Sequence, residues 1–416
     1  MAEKNRKRRL ETLLVHGANN KVEDAGATMS PVHFSIAFEH ESAEALEEVF
    51  ADRQPGMIYA RLQNPTVQRL EDRITDVCEA RGTLAVATGM SAITLGLLSL
   101  LRTGDEILVG RYLFGGTYVL FETTLKEMGI TAKYFDPRNP EEAEALITPN
   151  TRAVFLEAIS NPSIVVPDFS RYRALCDAEG MPLLVDASLL TPALYDPEMI
   201  QADLVFFSAS KYLAGAATTL GGLIVDTGRA AWHEMTRLNF GDLKRAKEMA
   251  VLNKMRKQLM AGVGPTLSPM NAFLQLAGME SLSLRLERQC DNAQAIAEFL
   301  DGHQSVKSVS FSGLPDHPAH QLATKQFCGK HGALLAFDLA SKQACFEFLN
   351  KLQLVKRATN LGDTKTLALH PASTIYGTFW PEERERVGVT ETMIRFSVGL
   401  ENVQDIIEDL TQALTD

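Results

Sequence analysis

The sequence predicts an α/β protein with a mostly parallel sheet, followed by a smaller α+β domain at the C-terminal end. Two observations support this prediction. From about residue 72, short apolar runs alternate with amphipathic, helix-like stretches, which is the pattern of strands covered by helices on both faces. Residues 270–300 then carry apolar side chains at helical spacing and lead to a second group of strands and helices.

The apolar runs and periodic stretches define the predicted elements. Seven strands are predicted for the larger sheet, at residues 84–87, 106–109, 131–135, 153–157, 182–185, 204–207 and 222–225. Helices are predicted between them, for example at residues 116–128 and 169–178. In the smaller domain the predicted strands are 333–337 and 393–397, and the predicted helices are 346–352 and 403–414.

The chain divides into three predicted regions. Residues 1–65 form an irregular arm with one short helical stretch at 42–51, because this region has little apolar periodicity of its own. Residues 66–265 form the larger α/β domain, and residues 266–416 form the C-terminal α+β domain.

Composition limits the classes of function. The 416 residues are 45% hydrophobic and 22% charged, as in ordinary globular proteins. The net charge of −11 repels phosphate backbones, so nucleic acid is not an expected partner. The five cysteines are widely spaced and form no CxxC pair, which indicates free thiols in a reducing cytoplasm and no metal site.

One uncharged stretch, residues 83–101, has the length of a membrane span. A Thr-Gly-Met-Ser sequence at 88–91 interrupts it, and this interruption favours a strand, a turn and a buried helix. Such a junction directs backbone N–H groups at an anion, so Gly89 and Met90 are candidates for binding a phosphate. No glycine-rich dinucleotide or P-loop motif occurs at a strand–helix junction, which disfavours a dehydrogenase.

A lysine lies in the segment that directly follows one predicted buried strand. Lys211 lies in the sequence Ser-Ala-Ser-Lys-Tyr at 208–212, after the apolar run 204–207. A surface lysine at a strand end is one interpretation. The other is a Schiff-base lysine, since burial lowers the pKa of an amine and makes it a nucleophile toward an aldehyde. Ser208 and Ser210 would then donate hydrogen bonds to a phosphate.

An aspartate follows a neighbouring strand in the same way. Asp186 comes after the apolar residues 183–185, and ligands of open α/β sheets bind at the carboxyl ends of strands. A helix cap or turn is the alternative role for this carboxylate. Together, Lys211 and Asp186 match pyridoxal phosphate, which needs a lysine for its aldehyde and a carboxylate for its ring nitrogen.

Two arginines complete the candidate site. Arg395 lies inside an apolar predicted strand, where a guanidinium needs an anionic partner. A structural ion pair would satisfy it, and so would the carboxylate of an amino-acid substrate. Arg61 lies in the N-terminal arm, two residues after Tyr59.

Taken together, these motifs resemble the pyridoxal-phosphate-dependent Cys/Met metabolism enzymes. That family includes cystathionine synthases and lyases, methionine γ-lyase and the O-acylhomoserine sulfhydrylases. The resemblance runs nearly from end to end. Its motifs here are Ile-Tyr-Ala-Arg at 58–61, Asn-Pro-Thr at 64–66, Phe-Gly-Gly-Thr-Tyr at 114–118, Asn-Pro at 161–162, Ser-Ala-Ser-Lys-Tyr at 208–212, Leu-Ser-Pro at 267–269, His-Pro at 317–318, Leu-Gly-Asp at 361–363, His-Pro-Ala-Ser at 370–373 and Arg-Phe-Ser-Val-Gly at 395–399.

The resemblance implies a fold-type I pyridoxal-phosphate transferase that is active as a dimer and assembles as a homotetramer. It implies that Lys211 holds the cofactor and moves protons, and that Arg395 binds the substrate carboxylate with Asn161 and Asn360 nearby. Implied cofactor-binding residues are Gly89, Met90, Asn161, Asp186, Ser188, Ser208 and Ser210 from one subunit, with Tyr59 and Arg61 from its neighbour.

The sequence departs from the family at the residue that stacks on the cofactor ring. This residue is usually tyrosine and is Phe114 here, which stacks but has no hydroxyl to protonate a leaving group. Tyr59 and Tyr112 are the candidates for supplying that hydroxyl. Gly116 replaces a cysteine typical of methionine γ-lyases, and Asn360 replaces a serine frequent in lyases.

The leading hypothesis is therefore an O-acylhomoserine sulfhydrylase, acting on an acetyl or succinyl ester with sulfide or a thiol. The alternative is a γ-lyase that acts on methionine or cystathionine and releases 2-oxobutanoate and ammonia. A non-catalytic binding protein with the same fold is a third possibility, against which Lys211 and Asp186 both argue.

Overall fold

The computed structural model describes residues 8–18, 26–238 and 240–415. The strands are β1 (Gly82–Val86), β2 (Glu106–Gly110), β3 (Thr131–Phe135), β4 (Thr151–Glu157), β5 (Leu183–Asp186), β6 (Leu204–Phe207), β7 (Gly222–Asp226), β8 (Ser308–Ser310), β9 (Leu334–Asp338), β10 (Lys356–Arg357), β11 (Leu367–Leu369) and β12 (Met393–Ser397).

The α-helices of these residues are α1 (Leu10–His16), α2 (Ala43–Phe50), α3 (Pro65–Val77), α4 (Gly89–Leu100), α5 (Gly115–Val119), α6 (Pro140–Ala145), α7 (Phe169–Glu179), α8 (Thr191–Leu194), α9 (Pro197–Ile200), α10 (Ala250–Lys254), α11 (Ala261–Val263), α12 (Pro269–Met279), α13 (Leu282–Asp301), α14 (His320–Gln326), α15 (Lys342–Lys351), α16 (Pro381–Arg386) and α17 (Val403–Leu414). Two π-helical segments, Leu120–Leu125 and Met255–Met260, continue α5 and α10, and 3₁₀ turns lie at Gly241–Met249 and Pro371–Ser373.

The larger sheet has seven strands in the order β1-β7-β6-β5-β4-β2-β3. Strand β7 is antiparallel to both of its neighbours, and the other pairs are parallel. Six strands consequently point the same way and end at one edge of the sheet. The predicted mostly parallel seven-stranded sheet is confirmed.

Alternate residues of these strands enter two separate cores, one on each face of the sheet. On β6, Phe206 packs into one core, while Val205 and Phe207 pack into the other. The second of these cores continues into the C-terminal sheet, where it includes Phe337 and Phe396. Burial on both faces explains why the strands read as continuous apolar runs in the sequence.

The C-terminal region forms a separate five-stranded sheet in the order β10-β11-β12-β9-β8. Only β9 and β12 were predicted; the other three strands are two or three residues long and carry no alternation that could be read. The stretch 270–300 is two helices, α12 and α13.

The N-terminal arm differs from the prediction of one short helix. Besides α2, it contains α1, whose Leu13 and Leu14 are buried against α3 in the core of the same chain. The uncharged stretch 83–101 is strand β1 followed by helix α4, as predicted. Within the described residues, no helix combines the length and the apolar character that crossing a membrane requires.

Candidate active site

A cavity of about 240 Å³ opens at the carboxyl edge of the larger sheet. Residues that follow β1, β2, β4, β5 and β6 line it, and residues of the C-terminal region close it from the other side. The lining residues are Thr88, Gly89, Met90, Ile93, Phe114, Thr117, Glu157, Ile159, Asn161, Asp186, Ser188, Leu189, Ser208, Ser210, Lys211, Leu220, Thr359, Leu361 and Arg395.

Lys211 projects into this cavity from the loop after β6. Its Nζ donates a hydrogen bond of 2.7 Å to Oδ1 of Asn360, and within the described residues no carboxylate forms an ion pair with it. Burial, and then the positive charge of Arg395, lower the pKa of the Lys211 amine to about 8. A substantial fraction of the amine is therefore neutral near physiological pH and able to attack an aldehyde.

Asp186 lines the same cavity at the end of β5. Its Oδ1 accepts a 2.9 Å hydrogen bond from the backbone N–H of Ser188. Burial raises the pKa of the Asp186 carboxyl, and the hydrogen bonds from Ser188 act in the opposite direction. The Ser188 hydroxyl oxygen in turn accepts a 2.7 Å bond from the N–H of Ser208, which joins the loops after β5 and β6.

The start of helix α4 faces these two loops. The Thr88 side chain caps the helix by accepting a 3.0 Å bond from the N–H of Ser91. A Cβ on Gly89 would lie 2.8 Å from the Cβ of Ser208, so only glycine allows this approach. The hydroxyl of Ser210 bonds to the backbone of Gly221. An anion at this junction would meet the N-terminus of a twelve-residue helix.

Arg395 lies on β12 with 2% of its surface exposed. Its Nη2 donates to the backbone oxygens of Thr359 and Asn360 at 3.1 and 2.9 Å, and its Nη1 donates to Oδ1 of Asn161 at 3.4 Å. Among the residues that the structure describes, none forms a hydrogen bond with its Nε, and burial lowers the pKa of the guanidinium to about 10. Because buried guanidinium groups need anionic partners, this group is suited to a bound carboxylate rather than to a structural ion pair.

Phe114 supplies the aromatic face of the cavity. Its ring occupies the space beside Gly116, where an added Cβ would lie 2.7 Å from the ring carbon Cε1. Gly116 therefore allows the Phe114 ring this position, and a side chain at 116 would require the ring to shift.

Glu157 is a cavity residue that the sequence analysis missed. It ends β4 and is in register with Asp186 on β5. Burial and the neighbouring Asp186 raise the pKa of the Glu157 carboxyl well above its ordinary value. The same signal that identified Asp186, a carboxylate at the end of an apolar run, could have identified Glu157.

The structure does not bring every predicted residue to this cavity. Tyr59 and Arg61 lie outside its lining, and Nη1 of Arg61 donates a 2.6 Å bond to the oxygen of Ala261. The Tyr112 hydroxyl also lies outside the lining, where it accepts a bond from Arg138 at 2.8 Å and contacts Asp136 at 3.2 Å. Tyr112 is therefore not available to protonate a leaving group in the cavity.

Metal ligation has no support in this geometry. In the part of the chain that the structure describes, no group of three or more His, Cys, Asp or Glu side chains is placed to hold a metal ion. The cysteines at 78, 176, 290, 328 and 345 are free thiols.

Comparison with known proteins identifies the family to which this constellation corresponds. The model of the Cys/Met metabolism PLP-dependent enzymes matches residues 11–415. The chain belongs to this family. It is 35% identical to a homocysteine synthase of Schizosaccharomyces pombe, with 97% of each chain covered, and 35% identical to an L-methionine γ-lyase of Pseudomonas putida, with 97% of this chain and 96% of the relative covered.

One solved structure has the same fold over nearly the whole chain. The crystal structure of a protein described as an O-acetylhomoserine (thiol)-lyase from Campylobacter jejuni superimposes with a TM-score of 0.94 at 31% identity. It covers 98% of this chain and 100% of its own, and it contains a lysine that carries a pyridoxyl phosphate group. Pyridoxal 5′-phosphate is accordingly the cofactor of this family member, and the predicted fold-type I class is confirmed.

The geometry and charges of the cavity residues fit this cofactor independently of the comparisons. Lys211 is a buried amine of lowered pKa without a carboxylate partner, Asp186 is a buried carboxylate, and the start of α4 is a close-packed glycine junction suited to a phosphate. The cavity thus combines a nucleophile, a carboxylate and an anion-binding site.

The lowered pKa of Lys211 predicts how cofactor attachment depends on pH. Apoenzyme mixed with pyridoxal phosphate should attach it at a rate that rises through pH about 8 and levels off above, because the neutral amine is the reactive form. Stopped-flow absorbance measures this rate, and Lys211→Ala serves as the control that attaches none. A rate that keeps rising toward pH 10.5, the ordinary pKa of lysine, would contradict the prediction.

Proposed function

We propose that this enzyme is an O-acetylhomoserine sulfhydrylase, which replaces the acetyloxy group of its substrate with sulfide and releases homocysteine and acetate. The proposal rests on which side chains of the cavity lining could donate a proton to a leaving group. The described lining residues include no tyrosine, histidine or cysteine, and Phe114 stands where a tyrosine hydroxyl would be available.

The missing donor matters because leaving groups differ in their need for a proton. Carboxylic acids ionise with a pKa of about 4 and thiols with a pKa of about 8.5. A carboxylate can therefore leave without being protonated, whereas a thiolate departs more readily when a general acid supplies a proton. Among the lining residues, the aliphatic hydroxyls are too weakly acidic for that task, both oxygens of Glu157 are bound to backbone amides, and Lys211 serves as the base at the α-carbon. The lining thus favours an ester substrate over methionine.

The charges of the cavity favour an acetyl over a succinyl ester. Lys211 and Arg395 are the cationic side chains among the described lining residues. In the proposed arrangement Lys211 serves the cofactor and Arg395 binds the α-carboxylate of the substrate. A succinyl group brings a second carboxylate, which would lie in this cavity without a third cation to compensate it.

The remaining residues have consistent proposed roles. Asp186 holds the cofactor ring nitrogen, Phe114 covers the ring, and Gly89, Met90, Ser188, Ser208 and Ser210 surround the phosphate. When bound, pyridoxal phosphate stabilises negative charge that develops on the substrate carbons. Nζ of Lys211 accepts the proton from the α-carbon, while Asn360 orients that amine through its 2.7 Å hydrogen bond. Ile93, Leu189 and Leu361 exclude water from the reacting atoms.

The proposed assembly is a cytoplasmic homotetramer, in which paired subunits complete each other's sites. Tyr59 and Arg61 lie outside the cavity of their own chain, as residues that serve a neighbouring subunit must. The arm that carries them also exposes Phe34 and Phe50, each 65% accessible, and large exposed aromatic side chains are typical of interfaces. In this assembly Tyr59 and Arg61 bind the cofactor phosphate of the neighbouring subunit.

A substrate comparison tests the function. Purified holoenzyme should form homocysteine from O-acetylhomoserine and sulfide with a kcat/KM at least about tenfold above that for O-succinylhomoserine, the ratio expected for one uncompensated buried carboxylate. Release of 2-oxobutanoate from methionine should be slower still. Rapid turnover of methionine without sulfide would refute the proposal in favour of a γ-lyase.

Phe114→Tyr tests the reasoning about the leaving group. The added hydroxyl should raise 2-oxobutanoate release from methionine by about 100-fold, the lower range for general acid catalysis. Sulfhydrylation of O-acetylhomoserine should change by less than about threefold, since its carboxylate needs no proton. Phe346→Tyr, at a partly exposed position on α15 outside the cavity lining, is the matched control. An unchanged methionine rate in Phe114→Tyr would show that proton supply does not limit thiol elimination.

A further inference from the structure

Two functional side chains of the cavity belong to loops without regular structure. Phe114 follows β2, and Asn161 follows β4. Phe114 must keep its ring parallel to the cofactor, and Asn161 must keep its Oδ1 within 3.4 Å of Nη1 of Arg395. Loops of this kind are mobile unless other groups fix them, so the cavity needs contacts that hold both.

Glu157 contacts both loops through backbone amides. Its Oε1 accepts a 2.7 Å hydrogen bond from the N–H of Phe114, and its Oε2 accepts a 3.2 Å bond from the N–H of Asn161. Each carboxylate oxygen of Glu157 therefore binds the backbone of one loop. A side chain with a single acceptor oxygen could not satisfy both amides in this geometry.

Tyr376 contacts the same two loops from the C-terminal region of the chain. Its hydroxyl lies 2.8 Å from the carbonyl oxygen of Leu113 and 2.9 Å from that of Asn161, and it shares its one proton between them. The side chain is fully buried. Gly115 lets the segment before Tyr376 pack closely here, because a Cβ at 115 would lie 2.9 Å from the side chain of Ile375.

We propose that Glu157 and Tyr376 are positioning residues for catalysis, which together fix Phe114 over the cofactor ring and Asn161 beside Arg395. Glu157 holds the two amides and Tyr376 holds the two carbonyls, so four backbone groups at two loops are bound by two side chains. The inference rests on the proposed function of this cavity as the cofactor and substrate site.

The chemistry of the pair supports this arrangement. Burial, and then the negative charge of Glu157, raise the pKa of the Tyr376 hydroxyl well above its ordinary value, so the hydroxyl keeps its proton and remains a donor. Loss of the Tyr376 hydroxyl would leave the carbonyl oxygens of Leu113 and Asn161 without this donor. A buried carbonyl oxygen that finds no other donor lowers the stability of the loop that carries it.

Tyr376→Phe is the first test. The variant should raise the KM of the amino-acid substrate by about tenfold, the cost of roughly one buried hydrogen bond, and change kcat by less than about threefold. The visible circular dichroism of the bound cofactor should weaken, because Phe114 no longer stacks in one orientation. Tyr172→Phe is the matched control: Tyr172 is equally buried and donates one 3.0 Å bond to the oxygen of Pro137, outside the cavity lining.

Glu157→Gln is the second test, since glutamine keeps the shape but only one acceptor oxygen. It should reproduce the loss of dichroism and the rise in KM, and in the double variant the two effects should be less than additive because both act on the same loops. Glu71→Gln is its control, as Glu71 is buried and accepts a 2.9 Å bond from the N–H of Ala85 outside the cavity lining.

The proposal is overturned if Tyr376→Phe and Glu157→Gln lower only the melting temperature, as a structural role would. It is equally overturned if the control variants change the dichroism and KM to the same extent. The dichroism is recorded on holoenzyme without substrate, so it tests these two residues even if O-acetylhomoserine is not the substrate; KM is then measured with whichever amino acid the enzyme turns over.

Discussion

The candidate active-site cavity depends on a buried lysine amine that no carboxylate among the described residues neutralises. A positive charge in such surroundings is unfavourable, and its cost lowers the pKa of Lys211 to about 8. Two features keep the amine unpaired: the charged group that acts on its pKa is Arg395, which is also positive, and the hydrogen bond to Asn360 involves a neutral amide. The fold thereby stabilises a nucleophile where an ordinary surface lysine would carry a proton.

The parallel sheet makes this placement possible. Because six strands end at one edge, residues that follow β1, β5 and β6 meet at a single cavity although they are far apart in the sequence. The same edge brings Glu157 beside Asp186, and burial together with the charge of Asp186 raises the pKa of the Glu157 carboxyl. The C-terminal region contributes Arg395 and Tyr376, so that both parts of the chain are needed for a complete site.

The sequence allowed prediction of features that depend on local pattern. Both faces of each central strand are buried, so these strands appeared as apolar runs, and Asp186 and the segment 208–211 that contains Lys211 could be recognised directly after two of them. The short strands β8, β10 and β11 were missed because two or three residues carry no periodicity. Helix α1 was missed because a helix of about two turns is held by its contacts with α3 rather than by its own pattern.

Contacts between distant residues could not be predicted in this way. The hydroxyl of Tyr376 reaches Leu113 across 263 positions of the chain, and nothing near residue 376 indicates that contact. The engagement of Tyr112 with Asp136 and Arg138 likewise follows only from the packing of the loops after β2 and β3. The sequence alone therefore could not show which tyrosine reaches the cavity.

The most direct test of the account is to locate the cofactor. Borohydride reduction of the holoenzyme, followed by proteolysis and mass spectrometry, fixes the pyridoxyl group to the lysine that holds it. The account predicts modification of Lys211 alone. Lys254 is the informative competitor, because it is also buried and its pKa is also lowered to about 8, but its Nζ donates to the oxygen of Ser99 outside the cavity. A pyridoxyl group on Lys254, or on any lysine other than Lys211, would contradict the assignment of this cavity.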